Sequence, residues 1–155
     1  MNENLISTFY AAFASLNSAS MADCYHKNIE FTDPAFGTLK GERACAMWRM
    51  LCSSAKDLNI EFSDVNADER FGSANWRATY TFSKTGRKVV NTISANFEFK
   101  DGKIIKHTDS FNLHKWASQA MGFRGWLLGR TGFFKRKLQE QTNKTLDRFI
   151  DAHES

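Results

Sequence analysis

Two places in this chain have side chains whose types and spacing could do chemistry: an Asp-Pro step at Asp33-Pro34, and a His-x-Asp triplet at His107-Thr108-Asp109. The first lies in the stretch from Glu30 to Gly41. A short apolar strand runs into the Asp-Pro, and a Gly-punctuated turn leads on to a helix bearing Met47, Trp48, Met50 and Leu51. The proline disfavours helical dihedrals for Asp33 and holds it extended. The apolar neighbours imply a partly dry setting, in which a carboxylate becomes a general base with a raised pKa. An Asp in this position is also a common turn-former that bonds its own backbone. The residues alone leave both readings open.

The second place is on a strand. Alternation puts His107, Asp109 and Phe111 on one face, with Lys106, Thr108 and Ser110 on the other. The Lys/Thr/Ser set reads as solvated, so the His/Asp/Phe set points to a core or a cavity. A buried carboxylate needs a partner. A pocket water would supply one, and so would His107 in a structural His–Asp pair. No second histidine stands at ligand spacing, so no metal site is expected. His26, His114 and His153 read as loop or helix-end residues. Weaker polar candidates are Tyr80 and Asn91, which share strand faces with large apolar residues, and Tyr10, beside the apolar stripe of the first helix. Trp48 and Trp76 could line a cavity or be plain core. Arg77 falls on the face opposite Trp76 and Tyr80. There is no nucleophile elbow, P-loop or GxGxxG, and no cofactor is expected.

The elements that must position these residues read as follows. Leu5, Ile6, Phe9, Phe13 and Leu16 predict a helix over 3–16, and a short helix follows to Tyr25. Ile29 to Asp33 reads as a strand, and Glu42 to Ala55 as a helix. Four strands come next, marked by alternation at Leu58–Phe62, Trp76–Phe82, Val89–Phe99 and Ile105–Phe111, with an Asp101-Gly102 hairpin before the last. Asn66 to Gly72 reads as a loop. A helix with Trp116 and Met121 precedes a segment broken by Gly122, Gly125, Gly129 and Gly132. A final helix runs from about Phe133 to Ala152. Helices first and a strand meander afterwards imply an α+β fold with an antiparallel sheet and helices on one face.

The chain has 155 residues, enough for one self-supporting domain. Hydrophobic residues make up 42% and charged residues 25%, the balance of a soluble globular protein. Aromatics reach 14%, which implies a thick core or a ring-lined cavity. The net charge of +4 resides in the tail, where residues 115–155 carry eight Lys/Arg against four acids. That excess is small for a nucleic-acid binder and comes with no nucleic-acid motif. Cys24, Cys45 and Cys52 have no metal spacing and read as reduced, buried thiols. No leader pattern and no run of about 18 apolar residues is present, so a cytoplasmic protein without membrane spans is expected.

The order of elements and several phrases resemble the NTF2-like superfamily, in its SnoaL-like and ketosteroid-isomerase-like group. The phrases are Phe9-Tyr10-Ala11-Ala12-Phe13, Phe31-Thr32-Asp33-Pro34, Gly41 opening the third helix, and Asp101-Gly102-Lys103-Ile104 before His107-Thr108-Asp109. The resemblance covers about residues 3–116. It implies a cone-shaped, cystatin-like α+β barrel, with a strongly curved antiparallel sheet wrapped around the N-terminal helices and a deep apolar pocket for a small hydrophobic molecule. It also implies a homodimer formed through the outer sheet face. Residues 1–155 then form one domain, with a C-terminal helical extension over about 117–155.

In ketosteroid isomerases the Asp of the Asp-Pro phrase shuttles the proton, and Asp33 matches it. A helix-one tyrosine donates to the oxyanion, and Tyr10 matches within about one residue. The second oxyanion donor falls at Ala95, so half of that oxyanion hole is missing. In SnoaL-type cyclases an acid on the last strand transfers the proton, and Asp109 with His107 is similar to that arrangement. The expected catalytic set is therefore Asp33, Asp109, His107 and Tyr10. Trp48, Trp76, Tyr80, Asn91 and Phe111 are the expected pocket lining. The expected chemistry is cofactor-free isomerase or cyclase proton transfer. The alternative is a non-catalytic ligand-binding or dimeric interaction module. The tail reads as a lid, a dimer element or a membrane-surface segment, with the membrane the least favoured.

Overall fold

A computed structural model describes residues 1–153. The first helix, α1 (Asn2–Ala14), buries Ile6, Phe9, Tyr10 and Phe13, a stripe at helical spacing. Asn17 caps α2 (Ser18–Asp23) by accepting from the backbone N–H of Ser20. Then come β1 (Tyr25–Asp33), β2 (Gly37–Lys40) and α3 (Glu42–Ser54). Strands β3 (Asn59–Ala67), β4 (Phe71–Phe82), β5 (Arg87–Lys100) and β6 (Lys103–Ser110) follow. Helices α4 (Leu113–Met121), α5 (Phe123–Leu128) and α6 (Gly132–His153) close the described chain.

One curved, unclosed six-stranded sheet runs in the order β2-β1-β6-β5-β4-β3. Every pairing is antiparallel except β1 with β6, which is parallel. The sheet is the expected antiparallel one at every pair but that of β1 with β6. A parallel neighbour needs a long crossover, and here the chain from β2 to β5 supplies it. The core lies between the inner sheet face and α1 and α3. Rings dominate it: Phe9, Phe13, Phe31, Trp48 and Trp76 are all buried.

Local chemistry explains most element ends. Asp101 and Gly102 both have positive φ, 55° and 74°, the two-residue turn that Asp-Gly favours between β5 and β6. Gly37 adopts φ 74° at the turn into β2. Strand β2 was not foreseen, because four residues are too few to show a period. The expected loop at 66–72 is largely strand: β3 reaches Ala67, β4 starts at Phe71, and Asp68 Oδ1 accepts from the N–H groups of Arg70 and Phe71 to turn the chain. His26 lies on β1 and is not a loop residue. At the start of β6 Ile104 is buried and Ile105 only half-buried, while His107 and Asp109 further along are buried. A register shift at Glu98/Phe99 displaces the alternation there.

Beyond the end of β6, α4 takes over as neighbour of β5. The Gln119 side chain accepts from Val90 N–H at 2.7 Å and donates to Val90 O at 3.1 Å, filling the ladder positions that β6 leaves open. Behind it, Val89, Trp116, Ala117 and Ala120 form a second, smaller core. Helix α6 returns across the front. Its Leu146 is fully buried in the main core, and Gln139, Thr142 and Asn143 donate to the carbonyls of Pro34, Ala35 and Phe36. The expected single final helix is present, and its middle, from Gln139 to Asn143, clamps the Asp33 turn.

Candidate active site

The parallel register between β1 and β6 builds the site. It pairs Glu30 with Lys106, Phe31 with His107 and Thr32 with Thr108. One step further along both strands sets Asp33 beside Asp109, on neighbouring strands about 4.8 Å apart. Alternation then puts Phe31, Asp33, His107 and Asp109 on the same inner face. The rings of Phe31 and His107 meet edge to face, with centroids 5.0 Å apart. On the other side of Asp109 the partner residue on β5 is the buried Ala95.

Asp33 is half-buried at the end of β1. Its Oδ1 accepts from the N–H groups of Ala35, at 2.9 Å, and Phe36, at 2.6 Å. The turn-forming role is thus real, and it pins the carboxyl. Oδ2 has no hydrogen-bond partner among the described residues. Burial pushes the pKa up from 3.8 to about 7, against the pull of the Phe36 N–H, and the Asp109 charge pushes it the same way. With Oδ1 occupied by two donors, the proton of neutral Asp33 sits on Oδ2.

Asp109 and His107 are buried, at 4% and 0% exposure. Asp109 Oδ1 lies 2.9 Å from His107 Nε2 and 3.3 Å from the indole nitrogen of Trp76. His107 Nδ1 lies 2.7 Å from the hydroxyl of Tyr25, which accepts from the indole N–H of Trp48 at 3.0 Å. These contacts form one directed chain. An indole N–H can only donate, so Tyr25 accepts from Trp48 and gives its own proton to Nδ1. His107 then carries its proton on Nε2 and donates to Asp109, a tautomer assigned from the network. Rings wall the chain in: the His107 ring contacts those of Phe9, Phe31, Trp48 and Phe97.

Tyr10 is fully buried, yet its hydroxyl has no hydrogen-bond partner among the described residues. Burial raises its pKa well above the usual value, and the Asp109 charge adds to that. Asp109 acts in the same direction on Tyr25, where burial is again the main cause. Asp109 is therefore the electrostatic hub for Asp33, Tyr10 and Tyr25.

The other expected residues divide between two places. Trp48 and Trp76 belong to the directed chain through their indole N–H groups. Tyr80 accepts from Trp116 Nε1 at 2.8 Å, next to the second core. Its β5 partner Val89 stands six residues, about 20 Å of strand, from Ala95 and hence from Asp109. Asn91 is half-buried on β5 opposite Ala78, about 13 Å of strand from Ala95. Phe111 packs against both cores. Tyr25 was missed, because the sequence reading ended α2 at that residue. The period-two pattern that runs back from Asp33 through Phe31 and Ile29 is interrupted at the exposed Lys27, where the register with β6 shifts, and so does not lead to Tyr25.

Two surface cavities are described. One, of about 320 Å³, is bounded by the outer sheet face around Phe71, Asn96 and Lys106. The other, of about 430 Å³, lies between β1 and α3 and includes Tyr25 and Cys45. Neither is lined by Asp33, Asp109 or Tyr10. Among the described residues no group of three or more His, Cys, Asp or Glu could hold a metal ion. No described helix is long and apolar enough to cross a membrane.

Comparison with known proteins bears on this geometry. No curated protein sequence matches the chain. Solved structures share its fold. A protein of ketosteroid isomerase-like fold from Catenulispora acidiphila, in complex with trimethylamine, matches with a TM-score of 0.66 at 11% identity, over 75% of this chain and 91% of that one. An LEH-like epoxide hydrolase from M. tuberculosis matches with a TM-score of 0.62 at 16% identity, over 81% and 89%. A candidate polyketide cyclase from Pseudomonas putida matches with a TM-score of 0.62 at 20% identity, over 75% and 95%. At these identities the likeness is one of fold. The sequence profile of the SnoaL-like domain matches residues 6–107, most of the domain from α1 to the middle of β6. The curved sheet, the helices inside it and that match agree, and the chain belongs to the SnoaL-like family with an NTF2-like, ketosteroid-isomerase-like fold.

Proposed function

We propose that this protein is a cofactor-free enzyme that moves a proton on a small apolar carbonyl compound, as an isomerase or cyclase does. The observation that carries the reading is the Asp33–Asp109 pair set up by the β1–β6 register. Its two carboxyls sit in unlike environments: Asp109 is held by His107 and Trp76, and Asp33 is pushed to a pKa of about 7. A carboxyl raised by burial beside a second carboxylate suits a group that must both take up and release a proton. Asp33 Oδ2 takes the proton from the substrate carbon and returns it elsewhere on the same molecule. A pKa near the working pH suits both halves of that transfer. The unpartnered Tyr10 hydroxyl is an O–H donor for an oxyanion that develops on the substrate. His107 and Tyr25 act at one remove, by orienting Asp109.

A specific observation favours the second reading, a non-catalytic binding or dimeric module. Rings fill the interior, and neither described cavity reaches the carboxylates. Under the first reading the interior opens when α6 releases its hydrogen bonds to the Pro34–Phe36 turn, and an apolar ligand takes the space. We also propose a homodimer through the outer sheet face and a reducing, cytoplasmic setting, which the three free thiols fit.

The test is hydrogen–deuterium exchange at the carbon next to the carbonyl in a panel of cyclic ketones and enones in D₂O, followed by NMR. Wild-type protein should accelerate exchange for some member of the panel, with a rate that rises as pH passes through about 7. Asp33→Asn should remove the acceleration. Exchange that persists undiminished in Asp33→Asn contradicts the enzyme reading. A panel that binds without any exchange supports the module.

A further inference from the structure

Helix α5 and the start of α6 turn their rings outward. Phe123 is 72% exposed, Trp126 57%, Leu127 58% and Phe133 60%. The Phe123 and Trp126 rings stack on each other with centroids 6.0 Å apart. Arg124, Arg130, Lys135, Arg136 and Lys137 are interleaved with them, and no acidic residue occurs between 123 and 139. Only Lys137 has an acidic neighbour among the described residues, Glu140 at 3.7 Å, and the Lys137 ammonium also lies over the Phe133 ring.

This orientation is fixed by packing. Gly125 and Gly129 form the inward side of α5 and are buried against α4. A Cβ at Gly125 would collide with the Ala117 carbonyl, so only glycine permits the close approach. His114 Nε2 donates to the Trp126 carbonyl at 2.7 Å and ties α5 to the start of α4. With the glycine side held inward, the Trp-Leu-Leu side must face out.

We infer that this face docks on the surface of an anionic phospholipid membrane. Charge complementarity selects the partner. Exposed rings and aliphatic side chains flanked by Lys and Arg suit the headgroup layer, where apolar tips enter the acyl boundary and cations meet phosphates. A second copy is a poor occupant, because a two-fold contact would set five cations against five cations. A protein groove would have to supply a carboxylate for each buried cation, whereas a lipid surface supplies diffuse negative charge at any spacing. No described helix spans a bilayer, so the attachment is peripheral. The middle of the same helix, α6, holds the Asp33 turn. Docking of this face does not depend on catalysis.

The test uses the full chain with vesicles of phosphatidylcholine, with and without phosphatidylserine. Trp48, Trp76 and Trp116 are buried, so Trp126 is the exposed indole and its emission reports contact. Co-sedimentation with phosphatidylserine vesicles is expected, together with a blue shift and loss of quenching by iodide, all weakening as salt is added. Arg124→Glu with Arg130→Glu should lower vesicle partition at least ten-fold. Trp126→Ser should weaken binding and remove the blue shift. Both sets of side chains are exposed, so the variants should melt as wild type does. Failure of the wild type to bind at low salt overturns the inference, as does binding that both variants leave unchanged. So does self-association or nucleic-acid binding that requires these residues while lipid binding is absent.

Discussion

The interior around His107 and the elbow between α5 and α6 both combine rings with ionisable groups, and they do so in opposite ways. Inside, each side-chain N–H or O–H of the Trp48–Tyr25–His107–Asp109 chain has one acceptor, and rings exclude water from all of them. In the elbow the rings face solvent and most of the cations have no acidic neighbour among the described residues. The same residue types serve as structure in one region and as surface in the other. What differs is whether each polar atom is satisfied locally. Among the described residues the interior departs from that rule at the Tyr10 hydroxyl, at Asp33 Oδ2 and at Asp109 Oδ2, and all three lie at or around Asp109.

The comparison breaks first if the interior rings are not holding the fold. Phe9→Ala removes a fully buried ring that touches Tyr10, Tyr25, Trp48 and His107, and should cost about 3–5 kcal/mol in urea unfolding. A cost below about 1 kcal/mol would mean the ring cluster is loosely packed.

The second test concerns pH. Asp33 has a folded-state pKa of about 7, above its ordinary 3.8, so the folded protein binds the extra proton between those values. Stability contributed by that proton is full below about pH 4, falls as pH rises to about 7, and is lost above. Asp57, Glu61 and Asp68 have lowered pKa values through hydrogen bonds, to Thr81, Arg77 and Phe71 respectively, and favour folding in the opposite direction as pH rises. The difference between wild type and Asp33→Asn cancels them. That difference should change by roughly 2–4 kcal/mol between pH 4 and pH 8, with the variant gaining relative to wild type at high pH. A pH-independent difference would remove the proton from Asp33.

Much of this was legible in the sequence. The α1 stripe, the Asp-Gly hairpin and the alternation that pairs His107 with Asp109 all follow from local periods. The meeting of Asp33 and Asp109 does not, because it depends on the parallel β1–β6 register, 76 residues apart in the chain. Resemblance to a family stood in for that long-range fact. Tyr25 and β2 were missed for a local reason: a register shift between Tyr25 and Glu30 obscures the start of β1, and four residues define no period. The full burial of Tyr10 was not visible either, since its place beside the helix stripe fits both a core and a surface position.

Smaller effects sharpen the contrast. Tyr25→Phe keeps the ring but removes the hydroxyl between Trp48 and His107, leaving an N–H and Nδ1 unpaired. A loss of about 1–3 kcal/mol is expected in thermal or urea unfolding. Trp126→Ser, in the elbow, should change stability by less than about 0.5 kcal/mol. Equal costs for the two would erase the distinction between satisfied interior and open surface.

The central claim is that Asp33 is a proton-exchanging carboxyl beside Asp109. It is tested most directly by following the side-chain carboxyl carbon of Asp33 by ¹³C NMR against pH, in wild type and in Asp109→Asn. The account predicts a midpoint of about 7 that moves down when the Asp109 charge is removed. A midpoint near the ordinary 3.8, the same in both proteins, would contradict it.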